Sequence, residues 1–381
     1  MGNLGVPNIN VSFEEKASSA ITRSERGVVL LLVEETKLQG KKNPFTVVTS
    51  SDIPDEVTDT TKEQILLALK GYVTAPKKVL VYCLGDLTSA EIDDVETSYS
   101  AGLKAAETVD FNYIALPNIA TRELQGVAIE WVKGMRSKKK RVKAVLPNVT
   151  ADTEGIISYA TNSATKTESI TKPDGSVETT DTKYTAEQYC SRIAGMICGT
   201  PLTMSCTSAL LPELTDCENQ EDEDTAVRAG KFFLINTGKK VITSRAVNSL
   251  TTLTDTKGDS FKKIKLVEAM DMISDDIETA IKEDYIGRYP NTYDNKQLLI
   301  AAINDYLKKL TNDGIAEGGS VFFDIEAIKK YLIEEKGYTE EDFAEMSEED
   351  IAKLNTGSRI FLAGTVSLVD AIEDANLVIN I

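Results

Sequence analysis

The side chains that most often carry catalysis are missing or poorly spaced in this sequence. No histidine occurs among its 381 residues, which removes the commonest general base and the commonest metal ligand. Nucleophile systems of the Cys-His and Ser-His-Asp kinds are therefore impossible within this chain. Three pairs of adjacent acidic residues remain for carboxylate chemistry: Asp93 with Asp94, Asp275 with Asp276, and Glu334 with Glu335. Adjacent residues of a helix point to different faces, so we interpret all three pairs as solvated surface.

The cysteines also argue against a reactive site. There are five of them, and none forms a Cys-x-x-Cys pair: Cys83, Cys190, Cys198, Cys206 and Cys217. An odd number without such pairs favours free thiols in a reducing cytoplasm. Cys190 and Cys198 share one face of a predicted helix, so burial as small hydrophobic residues is expected rather than metal binding. Cys83 ends a predicted strand, where a core residue is expected rather than a nucleophile. We predict no metal site and no cofactor.

The elements between residues 27 and 236 alternate in the manner of an α/β domain. Strands are predicted at 27–33, 78–84, 111–116, 142–146 and 232–236, and helices at 62–71, 89–107, 121–136 and 186–198. Strands separated by helices of this length form right-handed crossover units around a mainly parallel sheet. Such sheets often bind nucleotides at strand ends, but no Gly-x-Gly-x-x-Gly and no Gly-x-x-x-x-Gly-Lys-Ser/Thr occurs. An enzyme on this region is kept as the weaker alternative.

Composition and charge argue against two classes of binding partner, nucleic acid and anionic membranes. The chain carries 42 Lys plus Arg against 60 Asp plus Glu, a formal charge of -18, so it should be repelled by nucleic acid and anionic membranes. The basic run at 136–141 is interpreted as a solvated helix end. The apolar run at 28–33 is far too short to span a bilayer, so no direct membrane insertion is predicted. A Thr-rich segment at 161–184, centred on Pro173-Asp174-Gly175, predicts a protruding polar hairpin.

The C-terminal third predicts two consecutive helices. Apolar residues recur every three or four positions from 261 to 286, and Gly287 and Pro290 then end the helix. Asp294 with Gln297 is interpreted as a capping box that starts the second helix, which ends near Gly314. A further helix is predicted at 324–335 and a strand at 358–366. By spacing alone, this pair of helices could be a generic helical hairpin in a core.

Both ends of the chain alternate polar and apolar residues as β-strands do. Residues 8–13 place three side chains on one face, and residues 376–381 do the same: Ile9, Val11 and Phe13, and Leu377, Ile379 and Ile381. An unpaired strand exposes its backbone donors and acceptors, so each terminal strand must pair somewhere. Pairing within the same molecule and donation to a neighbouring molecule are both open on this evidence.

Four motifs in fixed order resemble the C-terminal part of contractile tail sheath proteins. They are Arg-Ala-Val-Asn-Ser-Leu-Thr-Thr at 245–252, Phe-Lys-Lys-Ile at 261–264, Tyr-Ile-Gly-x-x-x-Asn at 285–291 and Asn-Asp-Gly-Ile at 312–315. No single motif is specific, but their order is. These proteins form the sheaths of contractile phages and of R-type bacteriocins, and the chain is most similar to those of Gram-positive bacteria such as clostridia.

The resemblance implies an α/β fold, α+β overall, with a subunit in three parts. An N-terminal arm would occupy residues 1–26, an α/β outer domain 27–237, and an α+β sheath core domain 238–381, with strand arms at both termini. The arms of the family join sheets of adjacent subunits, which assigns Ile9, Val11, Phe13, Leu377, Ile379 and Ile381 to inter-subunit strands.

The resemblance also implies a function and a set of partners. A helical homo-oligomer would surround an inner tail tube and contract to drive it through a bacterial envelope, meeting baseplate and tail terminator proteins at its ends. The protein would be made in the bacterial cytoplasm and released as part of a virion or phage-tail-like particle. A non-contracting tail component or a terminator with the same C-terminal domain is the alternative.

Overall fold

The computed structural model describes residues 21, 26–171 and 177–379. The predicted strand with Ile9, Val11 and Phe13 lies outside these residues, as do Ile381 and the Pro173-Asp174-Gly175 turn. The described chain forms two compact units: a large unit of residues 26–275 with 369–379, and a small unit of residues 276–368. Across the described residues, none of the helices combines the length and apolar character that crossing a bilayer requires.

The large unit contains a seven-stranded sheet with helices on both faces. Its elements up to the first hairpin are β1 Val28–Val33, β2 Phe45–Val47, α1 Asp59–Leu69, β3 Lys78–Cys83, α2 Ile92–Ala106, β4 Tyr113–Ala115, α3 Gln125–Ser137, β5 Lys143–Pro147, β6 Ile156–Tyr159, β7 Ser163–Thr171 and β8 Val177–Thr185. The elements that follow are α4 Ala186–Cys198, β9 Asp216–Cys217, α5 Glu223–Arg228, β10 Lys231–Phe232, β11 Leu234–Asn236 and β12 Val241–Thr243.

The strand order of the large sheet is β10-β6-β5-β4-β1-β3-β2. Every pairing is parallel except that of β2 with β3. The predicted mixed α/β fold is therefore confirmed. Strand β2 escaped prediction because three residues are too few to show a period. All six residues of β1 are buried, alternately against α1 with α4 and against α2 with α3, which explains an apolar run without alternation.

Helix α4 lies unusually close to α1. A Cβ atom built on Gly195 would lie 1.9 Å from the carbonyl oxygen of Ala68, so only glycine allows this approach. The helix begins at Thr185, whose side chain accepts a hydrogen bond from Gln188 N, while Gln188 Oε1 accepts one from Thr185 N, a complete capping box. The predicted span of 186–198 is confirmed.

The strands of the predicted polar hairpin are present in the structure, whereas the predicted strand at 232–236 is divided in two. Strands β7 and β8 pair antiparallel over nine residues each, and β9 adds to β7, so the predicted hairpin is confirmed. The predicted strand at 232–236 is interrupted at Phe233. Its first part, β10, closes the parallel sheet, and its second part, β11, pairs antiparallel with β12.

The first C-terminal helix, α6, spans Ile264–Ala280 and follows a 3-10 turn at Asp259–Lys262. It passes into a π-helical turn at Ile281–Tyr285, and Gly287 ends it at a φ of 74°. Helix α7 spans Tyr293–Asn312. The predicted capping box was wrong, because Thr292 is the residue in extended conformation and its side chain accepts from Asn295 N. Asp294 lies inside the first turn, where its charge favours the helix dipole.

The small unit adds a two-stranded sheet and short helices to α7. These elements are β13 Ala316–Phe323, α8 Ile325–Lys336, α9 Glu348–Lys353 and β14 Leu362–Leu368. Helix α8 starts at Asp324, which accepts from Ala327 N, and confirms the predicted helix at 324–335. Strand β14 begins four residues later than predicted. Strand β13 was not predicted, since Gly318 and Gly319 interrupt its pattern.

Candidate functional site

The carboxyl edge of the parallel sheet, where α/β enzymes bind ligands, is occupied by structural contacts. Glu34, just after β1, accepts two hydrogen bonds from Arg122, Nε at 2.8 Å and Nη2 at 2.5 Å, and a third from Tyr99. Burial opposes the charged form of Glu34, but these bonds hold its pKa below the usual value. Glu35 accepts from the backbone and hydroxyl of Thr58 at 2.8 Å. Both carboxylates are held by hydrogen bonds to neighbouring residues.

The thiols are core side chains. Cys83, Cys190, Cys206 and Cys217 are buried, and Cys198 is half-buried. Burial raises the pKa of Cys83 to about 11, and it raises the pKa of Cys206 to about 12. Thiols of this kind are poor nucleophiles. Among the described residues, no group of three or more Cys, Asp or Glu could hold a metal ion.

Helix α6 is joined to the sheet by buried ion pairs that sequence reasoning missed. Lys143 on β5 lies 2.7 Å from Asp271 and 2.8 Å from Glu268, both on α6. Arg136 on α3 donates two hydrogen bonds to Asp271, at 2.9 and 3.0 Å, and Arg141 lies 2.6 Å from Asp275. The basic run at 136–141 is thus not merely a solvated helix end, because its two arginines bind α6.

The acidic pairs behave differently from one another. Asp93, Asp94, Glu334 and Glu335 are exposed, as interpreted from the sequence. The interpretation was wrong for the pair on α6. Asp275 is paired with Arg141, and the buried Asp276 accepts a hydrogen bond of 2.6 Å from Tyr306. Both carboxylates of this pair are therefore held by other side chains of the protein.

Burial and charge act against each other in the α6 ion pairs. Burial would raise the pKa of Asp271, but Lys143 and Arg136 lower it to about 2. Burial lowers the pKa of Lys143 to about 8, and Asp271 limits this decrease. Ion pairs of this kind fix geometry more than they add stability, since desolvation consumes much of their attraction.

The chain after β14 returns to the large unit and is fixed there by an acidic segment. We name residues 370–374 the tail clamp. The Glu373 side chain is only 5% exposed. Its Oε1 atom accepts from Thr207 Oγ1 at 2.6 Å and from Ser205 Oγ at 3.2 Å, and its Oε2 atom lies 3.3 Å from Lys263 Nζ, an ionic contact.

Two further ion pairs complete the tail clamp. Asp370 pairs with Lys263, and Asp374 pairs with Arg245. Although burial opposes its charged form, the hydrogen bond from Lys263 holds the pKa of Asp370 below the usual value. The segment is therefore held by charge rather than by apolar packing.

Beyond the tail clamp the chain exposes apolar side chains. Leu377 and Ile379, two of the residues singled out from the sequence, are 80% and 74% exposed, and Val378 between them is exposed as well. Residues 375–379 take part in no strand of the described chain. Three consecutive exposed apolar residues are unfavourable in water, so this tip is suited to an intermolecular contact.

The sheet of β13 and β14 offers an edge for such a contact. Asn304 of α7 accepts a hydrogen bond from Val321 N at 2.7 Å and donates one to Val321 O at 3.0 Å. The Asn304 side chain therefore occupies the outer edge of β13 at Val321. Val321 lies opposite Gly364. Because these groups of Val321 point away from β14, the backbone groups of Gly364 also point away from β13. Leu362 and Val366 share this direction, and in the described chain no strand pairs with the outer edge of β14.

Comparison with known proteins agrees along almost the whole chain. Residues 95–249 match the phage tail sheath protein central domain, and residues 256–381 match the phage tail sheath C-terminal domain. The chain is 34% identical over 382 residues to the tail sheath protein of Clostridium phage phiCD119, covering 98% of each sequence.

Solved structures show the same fold at lower identity. A sheath tail protein from Desulfitobacterium hafniense is 19% identical and aligns with a TM-score of 0.65, covering 83% of this chain and 94% of that one. The helical sheath of the anti-feeding prophage, solved in its contracted state, is 12% identical with a TM-score of 0.65 and covers 99% of both chains.

Proposed function

Because the chain belongs to the phage tail sheath family and is a structural sheath subunit, we propose that it polymerises helically around an inner tube and contracts to drive that tube through a bacterial envelope. The observation that carries this proposal is the full-length match to a sheath protein of a clostridial phage. The exposed apolar tip beyond the tail clamp supports it, since a monomer gains nothing from such a segment.

The subunits are linked by strand exchange between copies. Leu377, Ile379 and Ile381 belong to a C-terminal arm, and Ile9, Val11 and Phe13 to an N-terminal arm. The outer edge of β14 is the acceptor for a neighbour's arm. A five-residue strand adds four or five backbone hydrogen bonds worth about 1 kcal/mol each. Each buried Ile, Val or Phe adds roughly 1.5 to 3 kcal/mol.

The linkage is weak singly and strong collectively. Ordering a free arm costs about 1 to 2 kcal/mol per residue, so one exchanged strand is only modestly favourable. Many exchanged strands in one lattice hold cooperatively. Subunits can then rotate as rigid bodies about flexible arms while the lattice stays connected, a two-state transition whose energy is stored at assembly.

The division of the chain and its partners follow from this role. The arm occupies residues 1–26, the outer domain 27–237 and the sheath core 238–381. The sheath contacts an inner tube protein, a baseplate and a tail terminator, and it has no catalytic activity and no cofactor. The chain is made in the bacterial cytoplasm and leaves the cell in a virion or phage-tail-like particle.

A terminator or non-contracting tail component is the second candidate, favoured only by the C-terminal match. Negative-stain electron microscopy of the purified chain over a range of protein and salt concentrations separates the two. Hollow striated tubes are expected of a sheath. Closed single rings at every concentration would contradict the sheath and favour the terminator.

A further inference from the structure

The small unit contains an apolar groove beside the start of β14. Its volume is about 500 Å³. Its apolar walls come from the π-helical turn, from the loop after it, from α7 and from the loop before β14: Ile281, Tyr285, Ile286, Tyr289, Leu299 and Ile360. Ile286 is 65% exposed and Ile360 is also exposed. The groove therefore presents apolar surface to water.

One polar atom of the groove lacks a partner. Asn291 Nδ2 donates to Gly357 O at 2.7 Å and to Arg359 O at 2.9 Å, and these two carbonyl groups fix the orientation of the amide. Asn291 Oδ1 is buried and finds no hydrogen-bond partner among the described residues. A buried acceptor left without a donor is costly, so the groove favours a ligand with an N–H group.

A buried cation in the groove lining shares a partner with this amide, because Asn291 Nδ2 and Lys296 Nζ both donate to Thr356 Oγ1. Lys296 is 3% exposed, and its ammonium donates to Thr356 Oγ1 at 3.2 Å. No carboxylate of the described chain lies within ion-pair distance of it. An ammonium has three N–H donors, so Lys296 can donate to a carbonyl oxygen of a ligand while keeping Thr356.

An acceptor and a donor on two side chains that share Thr356 match the N–H and C=O groups of an extended peptide backbone. Apolar walls next to them match a large aliphatic side chain. We propose that this groove binds the C-terminal tip of a second copy, with Leu377 or Ile379 against the apolar walls. The backbone beside that side chain donates to Asn291 Oδ1 and accepts from Lys296 Nζ.

The position of the groove just before β14 favours the C-terminal tip of a second copy as its occupant. Gly357, Ser358 and Ile360 line the groove and lead directly into β14. A strand that adds antiparallel to the outer edge of β14 runs past Leu362 toward this groove. The inference rests on the proposed strand exchange and extends it, since the groove then fixes the register that the backbone ladder leaves open.

A peptide of residues 375–381, acetylated at its N-terminus and amidated at its C-terminus, tests the inference by fluorescence polarisation on the full chain. It omits the tail clamp and carries no terminal carboxylate. Ile286→Asp should weaken its binding at least tenfold, because one buried aliphatic anchor is lost. Ile92→Asp, at an 81% exposed position on α2, is the matched control and should leave binding unchanged.

Two further changes separate the possible outcomes. Lys296→Met keeps the volume and removes the donor, so affinity should fall about three- to tenfold. A peptide with Leu377→Ser and Ile379→Ser should bind no variant. If the original peptide bound equally to the wild type, Ile286→Asp and Lys296→Met, the groove would be excluded as its binding site. Strand addition at β14 would not be contradicted by that result. Failure of the wild type to bind the peptide would overturn both.

Discussion

Asp271 on α6 lies 2.7 Å from the ammonium of Lys143 on β5, and both side chains are buried. The pair joins the helix that leads into the C-terminal region to the central part of the α/β sheet. Removing one partner of such a pair leaves the other charge less compensated in a low-dielectric interior, whereas removing both takes away one charge of each sign.

The first prediction concerns this pair. Asp271→Asn should lower the free energy of unfolding by about 3 to 5 kcal/mol, measured by urea denaturation. Asp93→Asn, on exposed surface, is the control and should change it by less than about 0.5 kcal/mol. The double variant with Lys143→Met should lose less than the sum of the single losses. Additive losses would show that the two side chains are not coupled.

The second prediction is a pH dependence. The folded pKa of Asp271 is about 2, below the unfolded value of about 3.9. This carboxylate therefore adds stability above about pH 4 that is lost as pH falls toward 2. Unfolding free energies measured from pH 6 to pH 2 should fall more steeply for the wild type than for Asp271→Asn. Parallel curves would contradict the low pKa.

The third prediction uses Lys143 at alkaline pH. Its folded pKa is about 8, below the unfolded value of about 10.4. The unfolded chain binds the proton more tightly, so this group makes stability rise as pH increases between these values. Subtracting the unfolding curve of Lys143→Met from that of the wild type should reveal this rise. A difference that falls with pH would have the wrong sign.

The fourth prediction concerns the tail clamp. Glu373→Gln keeps the shape and removes the charge, so it should weaken the attachment of residues 370–374 by about 1 to 3 kcal/mol. Hydrogen exchange of that segment should accelerate while the melting temperature of the core stays unchanged. Asp374→Asn is the matched control, because exposed ion pairs contribute only about 0 to 1 kcal/mol. Equal effects of the two variants would argue against a buried clamp.

The fifth prediction concerns the arms. Deleting residues 1–13 or 376–381 should leave a folded, soluble monomer that forms no tubes, because only pairing between copies is lost. Circular dichroism and electron microscopy of each deletion check the two parts of this statement. A deletion that unfolds the protein would show that its strand pairs within the same molecule.

Sequence reasoning succeeded where every local signal agreed. Strand β1 is a continuous apolar run, and α4 has a capping box at its start and Gly199 at its end. It failed where one local signal was misleading. Gly318 and Gly319 interrupt the alternating pattern of β13, so this strand was not predicted. The start of α7 was assigned to Asp294, although Thr292 is the residue that caps it.

The candidate site could be predicted only in part. The alternation around Leu377 and Ile379 identified a segment that the structure leaves exposed, and its pairing with a neighbour stays a prediction. The tail clamp left no local pattern, because Glu373 meets Thr207 and Lys263 from far along the chain. Long-range polar contacts follow from the fold and cannot be read from spacing.

The tip beyond the tail clamp and the open edge of β14 give the proposed assembly a direction. The chain that carries the exposed tip also carries the open edge of β14, so in the proposed strand exchange each copy donates one strand and accepts one. Contacts of this head-to-tail kind do not close into a symmetric pair; they generate rings or filaments. Such a filament is polar. At one end the outer edges of β14 have no strand bound to them, and at the other end the C-terminal tips have no acceptor. Growth and closure at the two ends then require different surfaces.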